Sequence, residues 1–193
     1  MRRGYAVRHD WSARDSEAIL TGSPLPTILL FALPIILGNV FQQLYSIVDA
    51  IVVGKFLGDL PLAGISVASP IMDVANALII GGTIGVGVLA AQTCGAEDWP
   101  RLRRENATAL LGGLALTLVI AVLGAACSGV VLHAQGTEEA VCREAMRYLR
   151  LIFGGLIFCF LYNFYASMLR SCGNSRTPFV ILLTSSTLHA LLD

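Results

Sequence analysis

Apolar residues run through this chain in long stretches, and the few polar residues that interrupt them recur every three or four positions. Five stretches stand out, at about Thr27 to Val53, Leu62 to Thr93, Ala107 to Leu132, Tyr148 to Leu169 and Pro178 to Asp193. At about 1.5 Å of rise per residue, each of the first four is long enough as a helix to cross about 30 Å of bilayer hydrocarbon. The fifth rises only about 24 Å, which predicts a helix cut off inside the membrane. The runs are continuous rather than alternating, which selects helices over barrel strands, since an isolated span must satisfy its own backbone hydrogen bonds. The stretch from Ala107 to Leu132 contains no charged residue, whereas a helix of a soluble bundle would carry a polar stripe. The fold class expected is all-α, a polytopic transmembrane bundle spanning residues 25–193 behind an arm of residues 1–24.

Composition agrees with that pattern. Of the 193 residues, 55% are apolar and 13% charged, and the mean hydropathy is +0.73, outside the balance of a soluble domain. Thirteen basic residues offset thirteen acidic ones, so no net field gathers nucleic acid. Placement is the informative part. Arg2, Arg3, Arg8, Arg14, Arg101, Arg103, Arg104, Arg170 and Arg176 fall on one side of the predicted spans, with Lys55, Arg143, Arg147 and Arg150 on the other. This bias predicts a cytosolic N-terminus and a multi-pass protein of the plasma (inner) membrane. The first twenty residues lack an apolar core and a small-residue cleavage site, so they read as a cytosolic arm rather than a signal peptide.

Polar residues at membrane depth are the candidates for function. In the first stretch Asn39, Gln42, Gln43, Ser46 and Asp49 form a stripe expected to line a cavity facing protein or water. Asp49 is its decisive member, because a carboxylate in lipid must be paired, protonated or hydrated. It lies six residues, or about 9 Å, from Lys55, and a near-interface carboxylate held by Lys55 is the plainer reading. The second stretch repeats the pattern with Ser66, Ser69, Asp73 and Asn76 around a kink expected at Pro70, where Asp73 could be functional or structural. His189 and Asp193 stand at i and i+4 on the fifth stretch. Asp49 and Asp193 can share a depth in the outer half, and such a pair could hold a proton or coordinate sodium.

Two features invite over-reading. The run Gly81, Gly82, Gly85 and Gly87 follows no strand and precedes no Lys-Ser/Thr, so the Gly81/Gly85 spacing is expected to serve close helix packing rather than nucleotide binding. The five cysteines Cys94, Cys127, Cys142, Cys159 and Cys172 show no metal-type spacing and read as small apolar fillers, with Cys142 on an outer loop. No metal site and no cofactor beyond a coupling ion are expected.

The stretch FALPIILGNVFQQLYSIVDAIVVGKFLG resembles the first helix of multidrug and toxic compound extrusion (MATE) exporters, in which a helix-borne Asp in a V-D context precedes a V-G-K/R-x-x-G exit. GAEDWPRLRRENATAL resembles the family's basic loop after the second helix, and YLRLIFGGLIFCFLYNFYASMLRSCGNSRTPFVI its fourth helix and the R-S-x-G-[ND]-[ST]-R/K-T-P connection. The resemblance implies an N-lobe carrying five of its six helices, the fifth truncated, from a twelve-helix antiporter with a second lobe. It implies export of amphipathic or cationic drug-like compounds in exchange for sodium or protons, with Asp49 and Asp193 as cation-site carboxylates. One departure is His189 where the family usually has Asn, an imidazole that would favour proton coupling. Without a second lobe to rock against, the chain is expected to be inactive alone.

Three alternatives stay open. A lipid-linked oligosaccharide flippase of the same superfamily would carry basic residues along its cavity, whereas the membrane-depth charges here are acidic. A gene remnant or interaction protein would have its polar stripes covered by another subunit. An intramembrane enzyme is disfavoured, since no HExxH, GxSxG or paired catalytic-aspartate signature occurs.

Overall fold

The computed structural model describes residues 24–56 and 58–192, and these form a bundle of five helices: α1 (Pro24–Phe56), α2 (Asp59–Gly95), α3 (Trp99–Ala134), α4 (Glu139–Ser171) and α5 (Arg176–Leu192). Four helices are long and apolar enough to cross a membrane. α2, with 37 residues, is about 55 Å long, so helical order continues past the hydrocarbon at both ends. α2 also runs as one helix through Pro70. The arm expected at residues 1–24 lies, apart from Pro24, outside the described residues.

Among the described residues, each turn between helices contains one with positive φ: Gly58, Glu97, Gly136 and Gly173. Glu97, at φ 57°, is the one non-glycine residue among the described residues to adopt that conformation, which costs an L side chain about 1 kcal/mol or more. Beside it the Asp98 carboxylate accepts from the Arg101 N–H at 3.1 Å and caps α3, with Pro100 in the first turn. At the start of α5 the Asn174 side chain accepts from the Thr177 N–H at 3.0 Å.

Lipid is as apolar as leucine, so helices in a membrane associate through close packing and interhelical hydrogen bonds rather than water exclusion. α2 supplies a seam for this, Gly64, Ala68, Met72, Ala75, Ile79, Thr83, Gly87 and Ala90, all buried and spaced by three or four. The parallel α4 answers with larger residues, Leu149, Phe153, Leu156, Phe160 and Phe164, also buried. Where the seam is smallest, hydroxyls cross it: Ser167 donates to the Thr83 carbonyl at 2.8 Å and Ser171 to the Gly87 carbonyl at 2.7 Å. α3 runs antiparallel to both. Its Gly113 sits under the Phe160 ring and its Gly124 under Phe153, so a side chain at either would collide with an aromatic ring.

The packing glycines are therefore Gly64, Gly87, Gly113 and Gly124. Gly81 and Gly85, expected to pack, are exposed with nothing within 4 Å of a built Cβ. Their four-residue spacing is correct for a helix contact, but at about 100° per residue it falls on the face of α2 opposite the seam.

α1 and α5 form a second unit. α1 meets α5 where Gly38 lies against Leu182 and Phe179, and α2 where Gly54 lies against Leu62. Otherwise α1 exposes large apolar side chains such as Ile28, Ile36, Leu44 and Ile51, the surface of a helix whose solvent is hydrocarbon. The arginines Arg101, Arg103, Arg104, Arg170 and Arg176 gather at the bundle end that carries the α2–α3 and α4–α5 turns, hereafter the arginine-rich end.

Candidate functional site: a polar cleft between α1, α2 and α4

On α1, at about 100° per residue, Gly38, Tyr45, Asp49 and Val52 fall within an arc of about 60°, and Gly38 marks it as the packed side. Asp49, Tyr45 and Val52 are partly buried there, whereas Asn39, Gln42, Gln43 and Ser46 are exposed. The stripe expected from the sequence is thus wider than one contact surface. Gln42 lies near the packed edge, and Ser46, Asn39 and Gln43 turn progressively away from it. The Ser46 hydroxyl is satisfied by the Gln42 carbonyl at 3.1 Å, a return bond to its own helix. A carboxylate has no such recourse.

α2 presents Ser66, Ser69, Asp73 and Asn76 along one flank of its seam, the flank on which Leu62 touches α1. Ser66 and Ser69 donate to the carbonyls of Leu62 and Ile65, at 2.8 and 2.9 Å. Asn76, partly buried, looks across to α4, where its Oδ1 accepts from the Cys159 thiol at 3.7 Å. Asn163, one turn further on, donates its side-chain N–H to the Cys159 carbonyl at 2.9 Å. On the same side of α4, eleven residues before Cys159, Tyr148 lies within electrostatic range of Asp49.

The cleft thus draws Asp49 from α1, Asn76 from α2, and Tyr148, Cys159 and Asn163 from α4, while Asp73 is exposed on the same flank of α2 with no side-chain hydrogen bond or ion pair among the described residues. The three α4 residues were not picked out in the sequence, and Cys159 was read as an apolar filler. The signal was present, since Tyr148, Cys159 and Asn163 follow a helical line in a segment otherwise dominated by Phe, Leu and Ile. Cys142, expected on a loop, is buried in the first turns of α4. His189 falls on α5, and Asp193 lies outside the described residues. Among the described residues no group of His, Cys, Asp and Glu is arranged to hold a metal ion.

The other titratable groups with notable surroundings sit at the arginine-rich end, away from the cleft. The Glu105 carboxylate accepts from the Thr93 hydroxyl at 2.7 Å and from Arg101 Nε at 2.7 Å, and these bonds hold its pKa below the ordinary value. The Cys172 thiol is pushed up to about 12 by burial and by contact with Cys94. At neutral pH it stays protonated and a poor nucleophile.

A family model described as MatE matches residues 34–193. The chain belongs to the MatE family. Among curated relatives of this MatE chain, the "Probable multidrug resistance protein YoeA" of Bacillus subtilis is 33% identical over 163 residues, covering 84% of this chain and 35% of that protein. "Probable multidrug resistance protein YpnP" of the same organism is 31% identical over 173 residues, covering 89% and 38%. "DNA damage-inducible protein F" of Escherichia coli is 26% identical over 162 residues, covering 84% and 35%. No solved structure gives a significant match. The MatE chain spans little more than a third of the length of these curated relatives.

Proposed function

We propose that this chain is the N-terminal part of a multidrug exporter, belonging to its first lobe, that moves amphipathic or cationic compounds out of the cell in exchange for sodium or protons, and that it does not transport alone. Its similarity to proteins named as probable multidrug resistance proteins supports a multidrug exporter. The observation that carries the coupling role is the position of Asp49, partly buried on the packed side of α1 and within electrostatic range of Tyr148. An ionisable group in a membrane-spanning helix is costly unless it is paired, protonated or hydrated, and an exchanged ion satisfies it in turn. Asp49 would alternate between a neutralised state, protonated or sodium-bound, and a bare state that favours cationic cargo. Asp193 and His189 would complete the site, while Asn76, Asp73 and the exposed amides Asn39, Gln42 and Gln43 line the path. The arginine-rich end would face the cytosol of the plasma membrane, and the N-terminus with it.

A flippase for anionic lipid-linked cargo is the second reading. The acidic character of Asp49 and Asp73 argues against it. The experiment is coupled efflux in inside-out vesicles by the longer protein that carries this lobe, comparing wild type with Asp49→Asn and Asp193→Asn. Loss of cation-driven efflux in both is expected, and unchanged efflux in both would remove these carboxylates from the mechanism.

A further inference from the structure

Three recesses along the α2–α3 face join end to end. The first, about 550 Å³, lies between Pro70 and Val74 of α2 and Leu123 and Val131 of α3. Leu78 and Ile120 line both it and the second, about 250 Å³, where Gly82, Gly112 and Gly113 thin the walls. Val86 and Ala109 line both the second and the third, about 450 Å³, which ends at Arg101 and Arg104. The result is one apolar groove with a basic end.

The groove's length and charge indicate what would fill it. The middle and basic recesses, from Leu78 to Ala90, rise about 18 Å along α2, close to one leaflet's share of about 30 Å of hydrocarbon, while the first recess continues toward the other leaflet. A built Cβ at Gly82 or Gly112 meets nothing within 4 Å, so the space is open. The middle recess admits a hydrocarbon chain but not a helix, whose diameter with side chains is about 10 Å. At the basic end, Glu105 is the one carboxylate lining the recess, and Thr93 and Arg101 already occupy it. Arg104, exposed, has no ion pair among the described residues. Trp99, 53% exposed, stands at the start of α3 two residues before Arg101, and amphipathic rings of this kind anchor in headgroup regions.

We propose that this groove binds an anionic glycerophospholipid, its phosphate at Arg104 and Arg101 and one acyl chain laid along the floor between Gly82 and Gly112. Free phosphate would use the arginines but leave the apolar length unfilled. The inference does not depend on Asp49 or on the direction of transport.

The test is native mass spectrometry of the full chain in detergent, offered phosphatidylglycerol or phosphatidylcholine with identical acyl chains. Wild type is expected to retain phosphatidylglycerol preferentially. Arg104→Gln should cut that preference about fivefold, the scale of one arginine near an anionic lipid. Gly112→Leu should abolish retention of both lipids by filling the floor, while Gly154→Leu on α4, where space is equally open, should change neither retention nor the thermal melt. Equal retention of the two lipids by wild type would overturn the proposal. So would unchanged retention in Gly112→Leu, or displacement of the lipid by sn-glycerol 3-phosphate alone, which would mark a phosphate site without a chain site.

Discussion

The α2–α3–α4 unit and the α1–α5 pair share one chain and one solvent, yet they are held by different means. The first has a seam of small residues on α2, aromatic rings of α4 seated over glycines of α3, and two hydroxyl bridges to backbone carbonyls. In the second, α1 touches α5 at Gly38 and reaches α2 at Gly54, with most of α1's apolar side chains exposed. In lipid, contact must be made by shape, and α1 offers little shape to grip. Shifting α1 against the core therefore breaks few contacts, and α1 is the helix that carries Asp49.

Substitutions should separate the two units. The largest effect is expected from Gly124→Leu or Gly113→Leu, which drive a side chain into Phe153 or Phe160. Over-packing of this kind costs about 1–3 kcal/mol or more, read as a lower melting temperature of the full chain in detergent. Gly38→Leu should cost less, because the Leu182 and Phe179 side chains it meets, at 3.2 and 3.5 Å, can move aside. If Gly38→Leu proved as costly as Gly124→Leu, the division into a tight and a loose unit would be wrong. Ser167→Ala and Ser171→Ala come next, each removing one interhelical hydrogen bond worth roughly 0.6 kcal/mol and at most about 2.

The smallest effect concerns pH at the α2–α3 turn. The folded pKa of Glu105 is depressed by its bonds to Thr93 and Arg101, so the stabilisation is present above the ordinary glutamate pKa and is lost as pH falls through the folded value. Hydrogen exchange at residues 93–105 should therefore quicken on acidification below the carboxylate range, and Glu105→Gln should remove most of that dependence. The start of α4 beside the α3–α4 turn, whose ion pairs Arg143–Glu139 and Arg147–Glu144 have no hydroxyl donor like Thr93 on the carboxylate among the described residues, should show a weaker response.

Helix number, class and approximate span were legible because a long apolar run has few other solutions in a bilayer. The choice of partners was not. Gly81/Gly85 and Gly87 look alike in sequence, and only the azimuth of α4 around α2 selects Gly87. Asp49 stood out as a charge in an apolar segment. Tyr148, Cys159 and Asn163 did not, because weakly polar residues in an aromatic-rich helix become a site only when Asn76 and Asp49 come to face them. The stripe on α1 was visible, but its division into an edge with Asp49 and Gln42 and a remainder with Asn39, Gln43 and Ser46 depends on where α5 packs.

The most direct measurement is the labelling of Asp49 by a hydrophobic carbodiimide in membranes, read by mass spectrometry of the longer protein. A carboxyl group that takes up the coupling ion inside a cleft should react while protonated, and sodium or a rise in pH should suppress the reaction selectively at Asp49. Labelling of Asp49 that is indifferent to sodium and to pH would contradict the account.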